Sequence, residues 1–97
     1  MADDIITRIE AIPKLFTTDK MLLLHIGMEA IQSDATSIIK STPAIANETG
    51  ISERRITIGM KTLQKLGLLR IERRHDKYGV CISNCYHLSP ELCGTID

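Results

Sequence analysis

The chain has 97 residues, 43% of them hydrophobic and three aromatic, which is enough for one hydrophobic core and too little for two. No stretch approaches the roughly 20 apolar residues of a membrane span, and MADDIITRIE opens acidic, without the basic region and long apolar run of a secretory leader. A single small cytoplasmic domain is expected, and its twelve basic and twelve acidic residues cancel, which argues against a polyanionic partner unless the charge is unevenly distributed.

The first segment, residues 3–13 (DDIITRIEAIP), sets Ile5, Ile9 and Ile12 on one helical stripe with Ile6 beside it. Its acidic start suits a helix N-terminus and Pro13 stops it. Such a stripe does not stay in water, so this helix either packs on the body of the domain or acts as a dimerisation arm. From Thr17 or Thr18, with Asp19 in the first turn, a second helix is expected through KMLLLHIGMEAI to about Ser33. Met21, Leu22, Leu24, Ile26, Met28 and Ile31 surround too much of it for a surface helix, which makes it the buried scaffold. His25 has no partner near it in sequence and reads as a satisfied or half-exposed histidine, not a ligand.

ATSIIKS is short, β-branched and bounded by polar residues, the pattern of a brief strand. Thr42-Pro43 then starts a helix, because threonine can cap and proline at the first helical position loses no needed N–H. The helix covers AIANET. Gly50 ends it where a left-handed backbone costs little, Ile51 plugs the corner, and Ser52 caps the next helix.

That next helix, from Glu53 to Leu66, separates cleanly when its residues are placed at 100° intervals. Ile56, Met60 and Leu63 fall on a narrow core stripe, and Arg54, Ile58, Lys61 and Lys65 lie opposite. Arg55 and Thr62 flank the outer face on one edge and Thr57 on the other. Gly59 sits near the core side, where a missing side chain lets the preceding helix come close at a cost of roughly 1 kcal/mol in helix propensity.

Gly67 ends the helix, and residues 68–88 read as a hairpin with HDKYG at its tip. Leu69, Ile71 and Arg73 alternate with Arg70, Glu72 and Arg74. Val80, Ile82, Asn84, Tyr86 and Leu88 alternate with Cys81, Ser83, Cys85 and His87. Ser89-Pro90 breaks the second strand, and PELCGTID reads as a poorly ordered tail or the stump of a connection.

The charge is indeed uneven. Residues 52–77 hold eight basic and three acidic side chains, a net +5, against −3 for residues 1–51 and −2 for residues 78–97. A neutral total therefore hides a dipolar molecule whose positive end is the last helix and the hairpin. Three cysteines crowded into the last fifth do not resemble a secreted disulfide framework. A zinc site from Cys81, Cys85, His87 and Cys93 is set aside, because residues four apart in one strand are separated by roughly 13 Å, too far for one ion with Zn–S bonds of roughly 2.3 Å.

At residues 42–69 the chain resembles the winged helix-turn-helix family, and more loosely over about Thr18 to Leu88. The shared features are Ala46, Gly50-Ile51-Ser52, Ile56, Met60, Leu63 and Gly67-Leu68. SNCYHL is similar to the second wing strand of the helix-turn-helix domains of phage and plasmid replication initiators, through Asn84 and Tyr86. The resemblance implies that Ser52, Arg54, Arg55, Thr57, Ile58 and Lys61 face double-stranded DNA, with Arg73, Arg74, His75 and Lys77 approaching it from the wing. Two departures stand out: the family usually carries a polar or basic residue at Ile58, and a threonine at Arg55.

The chemistry agrees. An arginine near the start of such a helix can fork onto guanine O6 and N7, worth roughly 1–3 kcal/mol of discrimination, while Lys61 and Lys65 lie further along and suit phosphates. Ile58 is either a contact for a thymine methyl or an apolar residue covered by the N-terminal helix or a partner.

The expected architecture is mainly α with a small β-hairpin wing (α+β), a three-helix core plus an N-terminal helix. Residues 1–13 form the amphipathic helix, 14–89 the winged helix-turn-helix domain and 90–97 a C-terminal tail. The expected function is sequence-specific DNA binding by a small transcriptional regulator, a possible homodimer through the N-terminal helix, with a replication initiator or a protein–protein adaptor as the alternatives. No enzyme, cofactor or metal is expected: His25, His75 and His87 share no recognisable spacing with an acid or nucleophile, and there is no phosphate loop.

Overall fold

In the computed structural model, which describes residues 2–13 and 15–93, the chain runs α1 (Ala2–Glu10), α2 (Thr17–Gln32), β1 (Ser37–Lys40), α3 (Thr42–Thr49), α4 (Glu53–Lys65), β2 (Leu69–His75), β3 (Cys81–Leu88) and a single-turn α5 (Pro90–Cys93). The fold is α+β, with the helices on one side of a three-stranded antiparallel sheet. No described helix is long and apolar enough to cross a membrane.

The stripe of α1 is used within the chain. Ile5 and Ile9 are buried on α2, directly over Gly27, where an added Cβ would stand 3.0 Å from Ile9 Cδ1. Lys20 Nζ donates to the Glu10 carbonyl at 3.2 Å, satisfying an acceptor at the end of α1. The expected tail is different from a tail over its first half: residues 90–93 form α5, Leu92 is buried, and Arg8 Nη1 donates to its carbonyl at 3.3 Å. The buried Leu92 and the Arg8 hydrogen bond tie this turn to α1; residues 94–97 lie outside the described residues.

Scaffold helix α2 buries Leu22, Leu23, Ile26 and Ala30, but Met21 and Met28, expected in the core, are about half exposed. Contacts from α1, α4 and β1 cover the other directions and leave that side open.

The hairpin is not free-standing. β1 pairs with β3, giving the order β1-β3-β2, so from Asn84 to His87 β3 has a strand partner on both edges. The registers Ile38↔Tyr86, Ile71↔Tyr86 and Leu69↔Leu88 place one row of apolar residues on one face, and that face is buried under the helices. Val80, expected to start the second strand, belongs to the tip and is exposed, because β3 begins only at Cys81. The side chain of Ile82, part of the expected alternation, lies outside the described ones.

A polar cluster fixes α3 and β1 to α2. Lys40 Nζ on β1 is 2.8 Å from both carboxylate oxygens of Glu48 on α3 and bonds Glu29 on α2. His25 Nε2 lies 2.8 Å from Glu48 Oε1, so this histidine is a satisfied one, as the sequence suggested. Burial works to lower the Lys40 pKa, but bonds and charges from Glu29 and Glu48 outweigh it and the ammonium is held above its ordinary value. The same bond from Lys40, then that from His25, holds Glu48 below the usual glutamate range.

Candidate nucleic-acid interface

The α3–α4 corner is built by local hydrogen bonds. Ser41, one residue before the expected cap Thr42, accepts from the Ala44 N–H at 3.2 Å, which moves Pro43 to the second helical position, where its missing N–H is still no loss. Gly50 closes α3 at φ 78°, and Thr49 Oγ1 donates to the Ile45 carbonyl at 2.7 Å while accepting from Ile51 N–H at 3.2 Å. Ser52 then caps α4 by accepting from Arg55 N–H at 3.2 Å. At the far end, Gly67 (φ 76°) donates to the Gln64 carbonyl and Leu68 to that of Leu63, the paired bonds of a Schellman stop. Both ends of α4 are therefore fixed.

Its faces fall as the period requires. Ile56, Met60 and Leu63 are buried, and Ser52, Arg54, Thr57, Ile58, Lys61 and Lys65 are exposed. The helix that approaches Gly59 is α2, not the preceding α3: a Cβ on Gly59 would stand 2.6 Å from Asp19 Oδ1 and 2.8 Å from Leu22 Cδ1. Ile58 is 49% exposed, and α1 packs on α2 and α5, so it is not the cover considered for this residue.

Arg55, expected to face DNA, is engaged within the chain. Its guanidinium reaches back to the first turn of α2, where Nη2 is 3.0 Å from Asp19 Oδ1, and Asp19 is 1% exposed. The approach is not aligned as a hydrogen bond, and neither Asp19 oxygen has a hydrogen-bond donor among the described residues, so Arg55 is the charge that balances a buried carboxylate. Arg55 thus links α2 and α4, leaving Arg54 as the exposed arginine at the start of the outer face, with no ion pair among the described residues. The pairing spans 36 positions in the sequence, beyond the reach of any local pattern.

The wing arginines separate as well. Arg73 pairs with Asn84 on the face that looks toward α4, and with Thr57, Lys61 and Gln64 it walls a cleft of about 130 Å³ floored by Ile56, Met60 and Tyr86. Arg74 is one residue on and lies on the opposite face of the sheet, so the two arginines do not act on one side. Gln64 Oε1 accepts from Ile71 N–H at 2.9 Å and ties the end of α4 to β2 at the mouth of this cleft. Asn84 Nδ2 donates to the Tyr86 hydroxyl at 3.1 Å along its far wall.

At the wing tip, Asp76 Oδ1 accepts from the N–H groups of Tyr78 and Val80 at 2.8 and 3.0 Å, and Gly79 turns the chain at φ 82°. His75, next to a register shift in the ladder, and Lys77 are both exposed. Lys77 Nζ stands 5.2 Å over the ring of Tyr78, which is itself 79% exposed. In the sequence Tyr78 belongs to the HDKYG tip, where an aromatic next to a lysine is the one signal of this contact. No protein-family model, curated protein or solved structure matches the chain.

Proposed function

We propose that this protein is a winged helix-turn-helix DNA-binding domain of a small transcriptional regulator, with α4 in the major groove and the β2–β3 wing on the adjacent backbone. The observation that carries the proposal is the exposed stripe Arg54, Ile58, Lys61, Lys65 on a helix whose two ends are rigidly capped. The stripe runs about 16 Å along α4 at 1.5 Å per residue, enough to follow a major groove about 12 Å wide. Arg54 leads and is free to fork onto guanine. Lys61 and Arg73, facing each other across the cleft, suit a phosphate that passes between helix and wing, and Ile58 suits a thymine methyl.

Selection from a random duplex pool tests this reading. Enrichment of a defined site supports it, and a palindromic site with half-sites one helical turn apart supports a dimeric regulator. A pool that does not enrich contradicts it. The exposed Ile58 favours one other reading, a protein–protein adaptor that uses the same face of α4, and that reading predicts no enrichment.

A further inference from the structure

The face of the sheet turned away from the helices carries Glu72 on β2 and Cys85 and His87 on β3. The ladder sets Glu72 directly opposite Cys85, and His87 follows two residues on, on the same side. One donor atom from each lies within 4.8 Å of the other two, and His87 Nε2 is 3.2 Å from Glu72 Oε1. A tetrahedral zinc ion with ordinary bond lengths holds a nitrogen and an oxygen ligand about 3.3 Å apart and a sulfur about 3.6 Å from the nitrogen. The histidine and glutamate already stand at that spacing. Only the thiol has to close in, by up to about 1.2 Å, within reach of a side-chain rotation.

We propose that Glu72, Cys85 and His87 form a transition-metal site, taking Zn²⁺ with three protein ligands and a water in the fourth position. Cys85, a free thiol, gives up its proton to solvent and binds as thiolate; Glu72 binds as carboxylate, and His87 binds through Nε2 of a neutral ring whose hydrogen has moved from Nε2, where it faces Glu72, to Nδ1. Two negative ligands and one divalent ion leave the complex neutral, and Arg70, whose Nη1 is 4.0 Å from Glu72 Oε1, loses that partner. A thiolate and an imidazole select a borderline-soft ion over magnesium or calcium.

A second cluster of this kind among the described residues, His25, Glu29 and Glu48, does not qualify, because the Lys40 ammonium already stands where a cation would sit. The cross-strand glutamate is what the sequence spacing concealed: the partner of Cys85 lies across the ladder and not along its own strand. This site is independent of how α4 is used.

Titrating the full 97-residue chain with Co²⁺, in the presence of a phosphine reductant, tests the proposal. The expected result is saturation at a single equivalent, with a thiolate-to-cobalt charge-transfer band in the near ultraviolet and tetrahedral d–d bands, all displaced by Zn²⁺. Cys85→Ser removes the charge-transfer band and Cys81→Ser leaves it. His87→Ala and Glu72→Gln each weaken Co²⁺ by more than the about 10–100-fold typical of losing an outer-shell partner. Absence of the band, its survival in Cys85→Ser, or its loss in Cys81→Ser overturns the site. If Cys85→Ser fails to fold, unchanged Co²⁺ affinity in His87→Ala overturns it equally.

Discussion

Arg54 and Arg55 are neighbours of the same chemistry, yet the 100° step of α4 sends one to solvent and the other onto a buried aspartate. Stripping a buried charge of its partner costs about 3–5 kcal/mol. Arg55 is one-third exposed, so water softens the loss, and we expect Arg55→Leu to cost about 2 kcal/mol, or about 8–16 °C in a thermal melt of a domain this size. Arg54→Ala should leave the melt nearly unchanged and weaken duplex binding instead. Equal melts for the two variants would dissolve the distinction. Gly59 gives a second test at the same contact. Alanine there gains about 1 kcal/mol of helix propensity but drives a Cβ to 2.6 Å from Asp19 Oδ1, and overpacking of this kind costs about 1–3 kcal/mol. The carboxylate is pinned by Arg55 and cannot yield freely, so Gly59→Ala should lower the melting temperature; a rise would show that α2 relaxes away.

Individual elements were legible where their signals are local. The caps at Ser52, Gly50 and Gly67, the core stripe of α4 and the alternation of β2 follow from short-range stereochemistry, and the structure has them in those places. Ser52→Ala should accordingly cost about 1 kcal/mol by freeing the Arg55 N–H, read as a shift in the denaturation midpoint at unchanged slope. What was not legible needs contacts distant in sequence. The pairing of β1 with β3, the docking of α5 on α1 and the Asp19–Arg55 clamp each join segments that no periodicity relates. The wing shows the same division, since alternation was read but the side chosen by each arginine depends on which face the helices cover. Arg73 faces the cleft beside α4 and Arg74 does not. In fluorescence anisotropy with a selected duplex, Arg73→Ala should lose affinity by at least about tenfold, the loss of one charge-assisted contact of about 1.4 kcal/mol. Arg74→Ala should lose distinctly less, and the reverse order would mean that the other face of the sheet meets the DNA.

For the molecule as a whole, the Lys40, Glu48 and His25 cluster links α2, β1 and α3 and sets a pH window. Glu48, held below its ordinary value of 4.5, contributes stability that is complete above that pH and is lost as pH falls through its folded value. Lys40, held above its ordinary 10.5, contributes below that pH and loses its contribution as pH rises through its higher folded value. Melting temperature should therefore fall on both sides of this window, with a shallower acid limb in Glu48→Gln than in the parent; parallel limbs would remove the cluster from the account. On the same scale, a chain of zero net charge concentrates +5 between residues 52 and 77, and the proposed function depends on that asymmetry. Duplex affinity measured across a salt series, for the parent and for an Arg54→Glu/Lys61→Glu variant shown to be folded by circular dichroism, tests that dependence most directly. The parent should lose affinity linearly in log–log form with a slope of about −0.9 per neutralised phosphate, and the variant should bind at least about 100-fold more weakly at low salt, as expected for reversing two of its contacts. A folded variant that binds as tightly as the parent at low salt would contradict the account.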